Sequence, residues 1–281
     1  MTPAEAAATV QAARSAAELF AGESPVRVFR RLARLLHPDS SPGNTDAFTR
    51  LSALWERFNQ GQTVAGYQIG PMLHRGGTAA LYPCLSHDAL LKVTRNPADN
   101  HLLRHEAETL TRIATDADPR FLPYFPRLLT KFRHQSGSAV RQAAVISRAP
   151  AGFVPLDRVG PGRDPRDLAW IWRRLLVATG TAHRAGITHS SLVPRHVLIH
   201  PLDHGLILVD WTRSGTRDAR ADIHDLTTCV AGLTGPCPPA MAAFLRGCAV
   251  RPPEDAWALL GELDELLHTL YGPRTYRPLH L

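Results

Sequence analysis

The chain is poor in several things that would have narrowed its chemistry. Its 281 residues hold four cysteines, Cys84, Cys229, Cys237 and Cys248, and no two of them form a CxxC pair. That argues against a thiolate zinc site, and the thiols read as buried or incidental groups in a reducing compartment. Long hydrophobic runs are missing, and stretches such as residues 206–209 are far too short to cross a bilayer. The opening MTPAEAAATVQAARSAAELF has no leading basic residues and no continuous apolar segment, so no secretory signal is expected. The expectation is a cytoplasmic protein with no membrane partner. Lysine is scarce: Lys92 and Lys131 are the only two, and arginine carries nearly all the positive charge behind the net +7. That bias fits a high-GC, bacterial-type coding sequence. The arginines are scattered, with no long basic run and no interleaved aromatics, so they do not point to nucleic acid.

What is present suffices for one or two globular domains, with 44% apolar residues and no internal repeats. Residues 3–20 are alanine-rich, with Val10, Ala13, Ala17 and Phe20 near helical spacing, and Ala21-Gly22-Glu23-Ser24-Pro25 ends that helix. Ser24 then reads as an N-cap with Pro25 in the first turn. Residues 26–36 form a predicted helix with Val26, Phe29, Leu32, Ala33 and Leu36 on one face. Arg27, Arg30, Arg31 and Arg34 fall largely on the other face, and His37-Pro38-Asp39 stops the helix. A third helix is predicted over 47–58, with Phe48, Leu51, Leu54, Trp55 and Phe58 as its apolar stripe. From Tyr67 to about Ile146 short strand-like runs alternate with turn residues, interrupted by a helix over about 97–115. Beyond Asp164 the pattern is mainly helical, with two short strands near 197–199 and 206–209. The fold class expected is α+β.

A basic amphipathic helix, the tripeptide His37-Pro38-Asp39, the loop residues Pro42-Gly43-Asn44 and a second amphipathic helix occur in that order. Alone, the tripeptide would be only a helix terminator. With its flanking helices, the segment over 1–62 resembles a J domain, the module by which DnaJ-type co-chaperones engage a DnaK-type ATPase chaperone. The resemblance implies a small helical domain whose His37, Pro38, Asp39 and arginines Arg27, Arg30, Arg31 and Arg34 meet that chaperone. An arginine-bearing face suits an acidic partner.

A second set of landmarks starts at Tyr67 and resembles a protein kinase over about 66–272. Residues 69–82, with Gly76 and Gly77, stand where a phosphate-covering glycine loop belongs, although His74 and Ala79 replace two of its glycines. Ala89-Leu90-Leu91-Lys92-Val93 resembles the strand that carries the phosphate-pairing lysine. On the next helix Glu106 is its implied partner, with Glu108 as the fallback. His101 and His105 lie four apart there and read as ordinary helix-surface histidines. The segment His189-Ser190-Ser191-Leu192-Val193-Pro194-Arg195-His196-Val197-Leu198-Ile199 resembles the kinase catalytic loop without gaps. Ser191 takes the place of the base aspartate, and His196 the place of the metal-binding asparagine. A serine cannot accept a hydroxyl proton near neutral pH, and an imidazole is a poor magnesium ligand. Asp210 stands at the metal-binding aspartate of the next strand, followed by Trp211. His189 and Asp222 stand at the positions that brace the loop, and only twelve residues separate Asp210 from Asp222, too few for an activation segment.

The resemblance implies a bilobal protein with an antiparallel-sheet N-lobe over 63–150 and a reduced, mainly helical C-lobe over 151–281. With Lys92, Glu106 and Asp210 kept and the base lost, it implies a pseudokinase that binds ATP, with magnesium on Asp210. Three classes of function follow. One is a non-catalytic adapter that joins a DnaK-type chaperone to a protein client. The second is an atypical ATP-dependent phosphotransferase acting on a protein or a small molecule. The third is a purely structural scaffold.

Overall fold

The computed structural model describes residues 1–20, 25–38, 44–59 and 62–281. It is an α+β protein whose strands pair antiparallel in hairpins, as the alternation of strand-like and helical patterns leads one to expect. The chain divides into two compact units, Met1–Lys92 and Val93–Leu281.

The first unit opens with α1 (Pro3–Ala12), α2 (Ala16–Leu19), α3 (Pro25–Leu36) and α4 (Thr45–Asn59). The single alanine-rich helix expected over 3–20 is split in two. Ala13 is extended, at φ −63° and ψ 120°. Ser15 restarts the helix by accepting the Glu18 amide N–H at 3.1 Å, while the Glu18 carboxylate accepts the Arg14 amide at 2.8 Å. This Ser-x-x-Glu device satisfies amides that a continuing alanine helix would have paired along its backbone. Arg50 of α4 donates from Nε and Nη2 to the carbonyls of Val10 and Ala13, closing the open end of α1. Leu32 and Leu36 of α3 and Leu51 of α4 are fully buried with Val10 in one apolar core. Trp55 closes the core, stacked on Phe29 at 4.4 Å and met edge-on by Phe20.

Arg27, Arg30, Arg31 and Arg34 are all exposed on α3. His37 and Pro38 follow that helix, and the His37 ring lies edge-on to Phe48 at 5.3 Å. Asp39, Pro42 and Gly43, and the expected cap Ser24, lie outside the described residues. Strands β1 (Gln62–Val64) and β2 (Tyr67–Ile69) form a hairpin around Ala65 and Gly66, both at positive φ. A second hairpin joins β3 (His74–Arg75) to β4 (Ala79–Pro83), and β5 (Ala89–Thr94) carries Lys92 at the end of the unit.

The second unit begins with α5 (Asn100–Asp116) and the hairpin of β6 (Leu128–Ser136) with β7 (Ala139–Ser147). The following strands are β8 (Val154–Pro155), β9 (Val197–His200) and β10 (Gly205–Leu208), with β9 in the middle of a small antiparallel sheet. Helix α6 (Pro165–Arg184) precedes β9, and α7 (Ala219–Leu233), α8 (Pro239–Val250) and α9 (Ala256–Tyr271) complete the unit. Helix α6 is its spine, with Leu168, Ile171, Leu175 and Leu176 fully buried. At Gly180 it passes α9 so closely that a Cβ would lie 2.6 Å from Trp257 Nε1. Trp257 has little room to yield, since its ring packs on Phe121 and carries the Arg184 guanidinium at 4.6 Å.

Gly180→Ala should therefore destabilise the protein despite better helix propensity. The propensity gain is about 1 kcal/mol, whereas overpacking costs about 1–3 kcal/mol. Urea unfolding should give a lower midpoint with an unchanged slope.

Candidate functional site

After α6 the chain turns at Gly186, at φ +69°, into the segment 187–196. That segment is organised by Asp222 in the first turn of α7, whose side chain is 0% exposed. Its Oδ2 accepts the His189 amide N–H at 2.7 Å, and its Oδ1 accepts the Ser190 amide at 2.7 Å. His183 Nε2 donates to Oδ2 at 3.0 Å. Three donors on one buried carboxylate offset much of the cost of removing it from water. They also hold Ser190 in the left-handed region, at φ +63°, a conformation that costs a non-glycine residue about 1–2 kcal/mol. Ser190 Oγ in turn accepts the Arg217 amide at 3.0 Å, and Thr188 Oγ1 donates to the Arg217 carbonyl.

His189 is buried, with Nε2 donating to the Val209 carbonyl at 3.1 Å and its ring 4.4 Å from Trp211. Because a carbonyl can only accept, Nε2 carries the proton. Burial pushes the pKa of His189 down from 6.5 to about 4, partly opposed by the charge of Asp222. The ring is thus neutral at physiological pH.

At the end of the segment, His196 donates from Nδ1 to the Ser191 carbonyl at 2.7 Å, and its Nε2 stands 3.3 Å from Asp210 Oδ2. Asp210 is itself left-handed, at φ +66° and ψ +68°, and its Oδ1 accepts from Thr212 Oγ1 at 2.8 Å. Ser191 takes part through its backbone, its carbonyl accepting from His196, and among the described residues no histidine or carboxylate hydrogen-bonds to its hydroxyl. Magnesium does not fit this pair well. It seeks oxygen ligands, and the group beside Asp210 is an imidazole nitrogen. Among the described residues no three of His, Cys, Asp and Glu gather as a metal-holding group.

Glu106 on α5 is buried, and its Oε1 accepts the Trp211 amide N–H at 3.1 Å, whereas Glu108 is exposed. Burial thus separates the preferred carboxylate from its fallback. His105 is exposed on the helix, as expected, and its Nε2 also lies 2.8 Å from the Ser214 carbonyl. Thr109 Oγ1 meets Ser214 Oγ at 2.7 Å. One face of α5 is therefore tied to the turn that follows Asp210. Its sequence signal was only the i, i+4 spacing of His105 and Thr109. His101 makes the local contact expected of it, to the Ala98 carbonyl.

The second unit thus gathers Glu106, His189, Ser191, His196, Asp210 and Asp222 around one loop and one turn. Gly76, Gly77 and Lys92 belong to the first unit. There the Gly76 amide donates to the Ala79 carbonyl at 2.9 Å, Gly77 is exposed, and Lys92 is buried on β5. A scan against protein-family models and a search of curated proteins each find no match to this chain.

Two expectations follow. Asp222→Ala leaves the buried amides of His189 and Ser190 without acceptors, at about 1–3 kcal/mol each. Urea unfolding should show a loss of at least about 3 kcal/mol. The folded state also suppresses protonation of His189, so the unfolded chain binds the extra proton. Stability from this residue is complete above about pH 6.5 and is lost as the pH falls toward 4, by roughly 3 kcal/mol at the acid end. Between pH 7.5 and pH 4.5 the decline in unfolding free energy should be visibly shallower in His189→Gln than in the wild type.

Proposed function

We propose that the chain is a non-catalytic adapter, a pseudokinase joined to a J-like domain that engages a DnaK-type chaperone. The observation that carries the non-catalytic part is the His196 imidazole beside Asp210, with an unactivated Ser191 next to it. A phosphoryl-transfer site needs a group to position the attacking hydroxyl and oxygen ligands for its metal ions. Ser191 and His196 supply neither. The kinase resemblance supports ATP as a ligand, since Lys92, Glu106 and Asp210 stand at its nucleotide-binding positions, and it makes Asp210 the candidate for the magnesium ion, with the neighbouring imidazole counting against tight binding. The short link from Asp210 to Asp222 leaves no room for a peptide-substrate platform.

The chaperone part is supported by the exposed arginines Arg27, Arg30, Arg31 and Arg34 and by His37 and Pro38 at the end of α3. A guanidinium-rich helix face steers an acidic partner and fixes its register. The other end of the adapter takes a protein client. The second reading, an ATP-dependent phosphotransferase, draws on the same Lys92, Glu106 and Asp210 and differs only in requiring transfer.

ATP should raise the melting temperature of the wild type, and Lys92→Ala should abolish that shift. The full chain should stimulate the ATPase of a DnaK-type chaperone, and His37→Gln should remove the stimulation. Label from γ-labelled ATP should not reach the protein or added acceptors. Transfer that disappears in Asp210→Ala would favour the phosphotransferase, and the absence of both the thermal shift and the stimulation would leave only a scaffold.

A further inference from the structure

Away from the loop around Asp222, the second unit has a cavity of about 220 Å³ between α6 and the segment after α9. Arg166, Trp170 and Arg173 line it from α6, and Arg274, Tyr276 and Arg277 line it from the other side. The three α6 positions are spaced i, i+4 and i+7, so they share one helix face. The opposite wall is anchored. Gly272 ends α9 at φ +77°, the Leu279 amide donates to the Pro201 carbonyl, and Arg163 Nη1 donates to the His280 carbonyl at 2.8 Å. The Tyr276 hydroxyl donates to the Leu202 carbonyl.

The charges in this cavity do not cancel. Arg166 donates from Nε and Nη2 to Asp164, Arg277 from Nε to Asp167, and Arg173 from Nε to Asp264. Arg274 is exposed and has no carboxylate partner among the described residues. Three aspartates thus face four guanidinium groups. The carboxylates hold three arginines largely from the Nε side, which orients the forks and leaves Nη1 of Arg166, Arg173 and Arg277 with no hydrogen-bond partner among the described residues. Trp170, only 3% exposed, has an indole N–H with no acceptor among the described residues. Its ring stacks on His204 at 4.3 Å, and His204 stacks on Tyr276 at 4.8 Å, which gives the cavity an aromatic wall.

We propose that this cavity binds the phosphate group of a small phosphorylated molecule. Converging, pre-oriented guanidinium groups suit a tetrahedral dianion, to which each can donate two parallel hydrogen bonds. The fourth guanidinium supplies the charge that the aspartates do not neutralise. The ring wall offers an apolar face to the organic part of the ligand. His204 donates from Nε2 to the Arg277 carbonyl, burial lowers its pKa, and its ring is held between Trp170 and Tyr276. The site shares no residue with the Asp210 and Asp222 constellation.

The test is calorimetric titration of the full chain with inorganic phosphate, with chloride balanced to constant ionic strength. Saturable one-site binding is expected. Arg274→Ala should weaken it by about tenfold or more, the equivalent of one lost charge-assisted hydrogen bond, and Arg274→Lys should recover part of the loss. Arg274 is exposed and makes no ion pair among the described residues, so circular dichroism of both variants should match the wild type. The proposal fails if no saturable binding is seen or if Arg274→Ala binds phosphate as the wild type does.

Discussion

The buried carboxylate of Asp222 is the constraint on which the site-bearing unit depends. Burying an isolated charge is prohibitive, so its surroundings must supply donors. Here two consecutive backbone amides and one imidazole do so. The same contacts pin the loop between α6 and β9 in a form it would not adopt alone, including the left-handed Ser190. Once the amides of His189 and Ser190 are fixed, His189 is set against the Val209 carbonyl and Trp211. The Val209 amide in turn donates to the His196 carbonyl, which ties the end of β10 to the end of the loop. Asp210 follows directly, and its carboxylate comes to rest beside the His196 ring.

A second set of contacts binds α5 to the turn after Asp210. Glu106 accepts the Trp211 amide, and His105 and Thr109 reach Ser214 from the neighbouring positions on the helix. These contacts are short, mostly buried and mutually supporting, which favours one arrangement of helix and turn over many. The chemical character of the site follows. Its polar groups are engaged with one another, its one fully buried histidine is neutral, and its serine lacks a base.

Legibility differed from element to element. Helices α3 and α4 were plain because their apolar residues recur at helical spacing and their arginines avoid that face. The break between α1 and α2 was hidden by alanine content, although Ser15 and Glu18 carried the capping pattern that produces it. Strand β8 was missed because two residues give no periodicity. Around the site, Asp222 could be singled out from its place in a series of motifs, whereas its partner His183 could not. Glu106 was preferred to Glu108 from its place in the motif series, and the orientation of α5 buries the first and exposes the second. The arginine-lined cavity was not legible at all, since its residues lie about a hundred positions apart.

The sequence by itself determined the α+β class, the amphipathic helices and the residue chemistry available at Ser191 and His196. These depend on local periodicity and on residue chemistry, which any conformation of the chain retains. The tertiary structure decided which groups meet: His183 with Asp222, His105 with Ser214, His196 with Asp210, and four arginines with three aspartates around one cavity. Such meetings depend on how far helices turn and where loops close. Those quantities are set by packing and by buried hydrogen bonds between residues remote in sequence, and no local pattern records them.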